Sequence, residues 1–353
     1  MERIKNIQSK IASFGVEGIL FFDLTNIRYL TGFTGSAGIL FIGIDRAILT
    51  VDGRYTTQAG SETRGCEIVE SSDNVTVISG IISDLRLKSV GFDASAISFE
   101  DYLKLREKVG STKLKPLSKD LNSLRVIKSK GELDLLRKAI SISADSLQKT
   151  LEEIVPGSME RDIALELEFQ MIKAGGEKRS FDTIVASGTN SALPHARPRS
   201  RKIEVGDFVI IDYGVVYEGY HSDETCTFAV ETVTEEQKKI YNIVKDAHDR
   251  ALDAVKAGIS CRYVDEVARG AIEEAGYGQY FCHGTGHGVG LDVHEAPKLS
   301  RESTDYLEEG MVITVEPGIY LPDAYGVRIE DMAFVQKDGC EILTVTSKDL
   351  NIL

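Results

Sequence analysis

Residues 207–230 read DFVIIDYGVVYEGYHSDETCTFAV, two apolar strand-forming runs that meet at Glu218-Gly219. A two-residue turn there closes a β-hairpin and sets Tyr217 against Tyr220. Counting outward, Asp212 faces Thr225, and Asp223 becomes a diagonal neighbour of Asp212. Side chains alternate along a strand, so the parity predicts both carboxylates on one face, roughly 7–8 Å apart at the backbone. An acid inside the run VIID is costly in a buried strand unless it is paired or bound to a cation. The hairpin alone leaves two readings open: solvated strand acids, or a pair sharing metal ions.

The sequence around this hairpin reads as blocks of helices and antiparallel strands. Ser129 and Glu132 form a capping-box pair, and Leu133, Leu136, Ile140 and Leu147 then recur at helical spacing, so a long helix starts near 130. A second helix is expected at 158–174, a strand near 181–187, and helices at 235–257, with Thr234 and Gln237 as its capping box, and 261–275. Strand-rich sequence follows to the end, and two helix-then-hairpin blocks suggest a duplicated half. This organisation is α+β. Residues 1–122 instead alternate short apolar runs (18–22, 38–42, 47–51, 89–92) with helical or turn-rich stretches, an α/β pattern. The chain is long enough for two domains, placed at 1–122 and 123–353.

Composition narrows the function. With 41 basic against 55 acidic residues the net charge is −14, and no basic run is long enough to follow a phosphate backbone, so nucleic acid is not expected as a partner. Cys66, Cys226, Cys261, Cys282 and Cys340 form no CxxC pair, as expected of thiols kept reduced in the cytoplasm. The opening MERIKNIQSKIASFG is amphipathic without the apolar core of a signal peptide, and no window offers about 18 apolar residues, so no membrane partner is expected.

Two further stretches carry chemistry. HGTGHGVGLDVHEAP (283–297) places His283, His287 and His294, three of the six histidines, among glycines at 284, 286, 288 and 290. Glycine at alternate positions disfavours a helix, which excludes the HExxH arrangement, and the spacing is not GxGxxG. MVITVEPGIY (311–320) ends an apolar strand in Glu316, and GVRIEDMAFV (326–335) holds Glu330 inside another. Taken singly, either glutamate could be an edge-strand acid or a partner for Arg328. Four carboxylates and a histidine together suit Mn²⁺, Co²⁺, Zn²⁺ or Fe²⁺ in a two-metal hydrolase. Cys226 and Cys282 lie near these residues in sequence, without partners at zinc-finger spacing.

The order Asp212, Asp223, GHGVG, VEPGIY, RIED resembles the pita-bread metallopeptidases, in their aminopeptidase P and prolidase (Xaa-Pro dipeptidase) branch. RYLTGFTGSAG (28–38) and VDGRY (51–55) resemble that branch's N-terminal domain. The resemblance implies a pita-bread catalytic domain, a homodimer, and two divalent metal ions held by Asp212, Asp223, His287, Glu316 and Glu330, with Asp223 and Glu330 bridging. It implies His195, His283 and His294 at the substrate site and Arg328 as a supporting arginine. The implied reaction is hydrolysis of the bond between an N-terminal residue and a following proline by metal-activated hydroxide, with Glu316 helping to take the proton. Small peptides with proline second are the expected substrates, dipeptides first, with some tolerance of longer ones. Lys298, shortly after HEAP, stands where prolidases carry an arginine and is the candidate for reading a free carboxylate. Alternatives on the same fold are an aminopeptidase P, a metal-free binding module or a creatinase-like hydrolase. One departure is clear: the family often shows SD-x-T-R-T, and here cysteine stands at 226, which leaves the nearby charge unaccounted for.

Overall fold

The apolar runs of the N-terminal part pair as strands in the computed structural model, which describes residues 2–117 and 121–353. They are β1 (Gly18–Phe21), β2 (Ile39–Gly43), β3 (Ala47–Val51), β4 (Glu67–Glu70), β5 (Ser89–Phe92) and β6 (Lys113–Pro116). Their order is β4-β3-β2-β1-β5-β6, antiparallel across β3, β2 and β1 and parallel at both flanks. Period-two alternation splits this sheet's side chains between two apolar layers. Ile19, Phe21, Leu40, Ile42, Leu49 and Val51 pack with α1 (Glu2–Lys10), α2 (Leu24–Thr31) and α3 (Thr56–Glu62). Leu20, Phe41, Ile48, Val90 and Phe92 pack on the other side with α4 (Asn74–Asp84) and α5 (Phe99–Lys108). Backbone contacts group this region as one compact unit, Met1–Arg125, and the rest as another, Val126–Leu353.

The second unit opens with α6 (Lys130–Leu151), whose Ser129 and Glu132 form the expected capping box, followed by α7 (Glu160–Lys173). Next come β7 (Lys178–Arg179), β8 (Ile184–Ser187), β9 (Phe208–Tyr213), β10 (Val215–Tyr217), β11 (Tyr220–His221) and β12 (Glu224–Ala229). A second helix pair, α8 (Glu235–Ala254) and α9 (Cys261–Glu274), precedes β13 (Gly286–Gly288), β14 (Glu295–Leu299), β15 (Val312–Val315), β16 (Gly318–Leu321), β17 (Tyr325–Arg328), β18 (Asp331–Val335), β19 (Cys340–Ile342) and β20 (Asn351–Ile352).

Each helix pair covers the outer face of one sheet. Ile142, Leu147, Leu167 and Met171 of α6 and α7 pack on Val209, Ile211, Cys226 and Phe228 of the sheet β20-β12-β9-β8. Ile240, Val244, Val264 and Ala268 of α8 and α9 pack on Ile313, Val315, Ala333 and Val335 of the sheet β14-β13-β15-β18-β19. Apolar residues on alternate positions go to the helices, so the intervening ones, Asp212, Thr225, Thr314 and Glu330 among them, are left for the inner faces. Among the described residues no helix is long and apolar enough to cross a membrane.

Candidate metal centre

The hairpin has the register that counting outward gives: Tyr217 pairs with Tyr220 and Asp212 with Thr225. Its turn uses Glu218 and Gly219 with φ of 47° and 85°, the left-handed pair a two-residue loop needs. The strands break at Gly214, where a Cβ would come within 2.0 Å of the Ser222 carbonyl. That break leaves Asp223 just outside β12 with its backbone N–H on Met332 Sδ at 3.3 Å. Thr225 links the two sheets: its hydroxyl donates to Glu330 Oε2 at 2.7 Å, and its carbonyl accepts from the Glu330 N–H at 3.1 Å.

The glycines of GHGVG do what their spacing suggests. A Cβ at Gly286 would lie 2.0 Å from the Thr314 carbonyl oxygen, and one at Gly288 would lie 2.1 Å from that of Ala296, so β13 presses between β15 and β14 as only glycine permits. His287 donates Nδ1–H to the Gly288 carbonyl at 3.1 Å, which turns Nε2 toward Glu316 Oε1 (3.3 Å) and Asp223 Oδ2 (3.7 Å). One ligand atom each from Asp223, His287 and Glu330 lies within 4.8 Å of the others, a group of the right kind and size to hold a metal ion.

The electrostatics fit that use. Burial, then the charges of Glu330, Asp212 and Glu316, push the Asp223 carboxyl well above its ordinary range. Burial, Glu316 and Asp212 do the same to Glu330. Asp212 is raised by burial against the pull of Arg328. Glu316 goes the other way: burial opposes ionisation, yet the His287 hydrogen bond and the charges of His287, His283 and Arg328 hold it down at about 2. Four carboxylates thus face one arginine and the imidazoles of His287 and His283, and Asp212 Oδ1 is buried with no hydrogen-bond partner among the described residues. A bound cation would supply both the missing charge and the missing partner.

Around this core the neighbours are specific. Arg328 donates to Asp212 Oδ2 at 2.6 Å, so its carboxylate partner is Asp212 rather than Glu316 or Glu330. It also donates to the Tyr320 hydroxyl at 2.8 Å and the Pro194 carbonyl at 3.1 Å. Tyr320, pushed up to about 12 mainly by burial, passes its proton toward His283 Nε2 at 2.9 Å. His283 Nδ1 donates to the Gly284 carbonyl at 2.8 Å. Both ring nitrogens are therefore engaged, and His283, expected as a donor at the substrate site, orients Tyr320 in this geometry. His195, His294 and Lys298 are exposed. The His294 ring meets that of His287 edge-on with centroids 4.3 Å apart, and Lys298 is the cross-strand partner of His287. Burial, then the His287 charge, lowers the His294 pKa. His195 follows Pro194, whose carbonyl Arg328 holds.

Several residues went unassigned in the sequence. Asp265 and Arg269 of α9, paired at 2.9 Å, anchor the glycine segment: Asp265 accepts from Thr285, and Arg269 donates to the carbonyls of Phe281 and His283. Glu295 is buried against Lys128 at 3.0 Å, which ties the residue after His294 to the start of the unit. Cys226 points to the helix-covered outer face of β12, away from Asp212 and Thr225. Cys282 is exposed.

A buried, carboxylate-rich cluster with the donor chemistry of a metal site, lined by exposed histidines and set between two sheets each backed by a helix pair, is the kind of arrangement a metal-dependent hydrolase uses. Comparison with known proteins narrows the class. Residues 134–337 match the model of metallopeptidase family M24, and residues 3–127 match the creatinase/prolidase N-terminal domain. The chain is 37% identical to the Xaa-Pro dipeptidase of Pyrococcus horikoshii over 99% of its own length and 98% of that protein's. It superposes on the Xaa-Pro dipeptidase from Bacillus anthracis with a TM-score of 0.96 at 41% identity, covering 100% of this chain and 99% of that one. The X-Pro aminopeptidase from Thermotoga maritima gives 0.90 at 36% identity, covering 96% and 98%. The chain belongs to metallopeptidase family M24.

Proposed function

We propose that the protein is a dinuclear metallo-exopeptidase that cleaves the bond between an N-terminal residue and a following proline. Asp212, Asp223, His287, Glu316 and Glu330 would hold two divalent cations (Mn²⁺, Co²⁺, Zn²⁺ or Fe²⁺), with Asp223 and Glu330 shared. The observation that carries this reading is the convergence of Asp223, His287 and Glu330 beside Asp212 Oδ1, which has no hydrogen-bond partner among the described residues. Cations bound there supply Lewis acidity and a water acidic enough to react at neutral pH. The chain's own groups do the rest. Glu316, kept ionised beside His287, accepts a proton from the attacking water. His294 and His195, exposed at the rim, offer N–H groups to the oxyanion and the leaving nitrogen. Arg328, with Tyr320 and His283 behind it, holds Asp212 in place.

Lys298 shares a strand pair with His287 and supplies a positive charge without a guanidinium fork, which supports dipeptide hydrolysis with some tolerance of longer peptides. The likeness to an X-Pro aminopeptidase favours a second reading, an aminopeptidase P acting mainly on longer peptides. A cytoplasmic location, supported by five free cysteines, and a homodimer, resting on the family resemblance, belong to the proposal.

The test is hydrolysis of an Xaa-Pro panel by protein stripped of metal and reloaded with each cation. Activity should return at two ions per chain and be confined to proline-containing peptides. Equal rates for stripped protein, or for Ala-Ala, would overturn the reading. Comparing kcat/KM for Ala-Pro and a tripeptide beginning Ala-Pro separates the two lengths: Lys298→Ala should erode a dipeptide preference by about tenfold, the scale of one charged hydrogen bond. An unchanged ratio favouring the tripeptide would make the protein an aminopeptidase P.

A further inference from the structure

The cysteine at 226 leaves a question of charge, and the outer faces of β12 and β18 answer it. The residues next to the proposed bridging carboxylates, Glu224 beside Asp223 and Asp331 beside Glu330, are themselves buried acids. One ammonium serves both. Lys348 Nζ donates to Glu224 Oε1, stands 3.4 Å from Asp331 Oδ1, and lies 3.4 Å from Cys226 Sγ, with only 6% of its side chain exposed.

Other groups close in on the same two acids. The Tyr213 hydroxyl donates to Glu224 Oε2 at 2.7 Å, His248 Nε2 lies 3.1 Å from Asp331 Oδ2, and Thr344 donates to Asp331 Oδ1. The Lys348 carbonyl accepts from the Tyr241 hydroxyl at 3.0 Å, which fixes the backbone that carries the ammonium. The Cys226 thiol, pushed up to about 12 chiefly by burial, brings no charge of its own.

We propose that Lys348 is the positioning cation of the metal centre, bridging Glu224 and Asp331 so that Asp223 and Glu330, the residues that precede them and face the other way, stay aimed at one point. It supplies the positive charge that position 226 lacks. Groups that orient metal ligands from behind typically change metal affinity or activity about 10–100-fold when removed. The inference rests on the two-metal reading above.

The experiment titrates Mn²⁺ into metal-free protein by calorimetry, with metal content, melting temperature and Ala-Pro kinetics measured in parallel. Lys348→Met should weaken Mn²⁺ binding about 10–100-fold and lower kcat at nearly unchanged KM. Lys348→Met with Cys226→Lys, which returns an ammonium to the same pocket from the neighbouring position, should recover most of both. Tyr241→Phe removes a tie to the same segment without touching the charge, and should lower the melting temperature while leaving Mn²⁺ affinity unchanged. If Lys348→Met fails to fold, Lys348→Met/Glu224→Gln leaves no lone buried ion between these two residues and should fold while still binding Mn²⁺ weakly.

Wild-type Mn²⁺ affinity in Lys348→Met or in Lys348→Met/Glu224→Gln would overturn the inference. So would an equal loss in Tyr241→Phe, since the effect would then be one of packing. Failure of wild-type protein to bind Mn²⁺ at all would instead overturn the two-metal reading.

Discussion

Strands β12 and β18 each open on a buried acid facing outward and are each preceded by a buried acid facing inward, and the two faces treat them differently. On the outer face Glu224 and Asp331 share the ammonium of Lys348, and burial of Asp331 is outweighed by Lys348 and His248, so its pKa falls below the ordinary value. On the inner face Arg328 also pulls on Asp223 and Glu330, but burial and the neighbouring carboxylates outweigh it and their pKa values rise. One set is closed by the chain itself, and the other is built with a charge deficit that something from solution must fill. Burial alone therefore does not mark a functional acid.

The comparison breaks most visibly on activity. Asp223→Ala and Glu330→Ala should each reduce Ala-Pro turnover to background and lower the bound metal, measured by elemental analysis. Near-normal rates in either, with both ions retained, would remove the inner face from the chemistry.

Smaller, and confined to rate, are the rim histidines. His294→Ala and His195→Ala should lower kcat about 10²–10³-fold, the usual cost of a lost transition-state donor, with metal content unchanged. A folded but metal-free variant would make that histidine a ligand instead.

Stability should separate the two faces directly. Glu224→Gln leaves the buried ammonium of Lys348 with Asp331 as its one carboxylate and should be destabilising in urea unfolding of the metal-free protein. Glu330→Gln in the same metal-free protein removes like-charge repulsion and should be neutral or stabilising by about 1 kcal/mol. The same sign for both would erase the distinction.

The gentlest test is pH. Asp223 and Glu330 have folded pKa values above the unfolded ones, near about 4. Metal-free folded protein therefore keeps protons that unfolded chain releases, and loses stability as pH rises from that range toward the raised values. Glu316 shifts downward and acts only below the ordinary carboxylate range. The melting-temperature gap between Mn²⁺-loaded and stripped protein should widen from about pH 5 to about pH 7.5, by scanning calorimetry. A gap constant across that window would contradict the raised values.

Local rules made much of this legible in sequence. The Glu218-Gly219 turn fixes the hairpin register, and parity then puts Asp212 opposite Thr225. Alternate glycines announce close backbone approach, realised at Gly286 and Gly288. Interior strands β1, β2, β3 and β5 stand out as apolar runs. The edge strands β4 and β6, EIVE and KLKP, do not, because exposed edges favour charged residues that look like loop. Least visible were the supports. Asp265 and Arg269 look like an ordinary helical ion pair, and Lys348 meets Glu224 across 124 positions of chain, a distance over which no local pattern carries information.

The turn at Glu218-Gly219 has a further meaning for how this gene can vary. Because facing alternates residue by residue, the stretch from Asp223 to Phe228 works as a reading frame in which one added or lost residue would exchange the faces, sending Glu224 inward and Asp223 toward the helices. Substitutions there can be absorbed one at a time, but a single-codon insertion or deletion cannot, so homologous sequences should align through this segment without gaps even where their side chains differ.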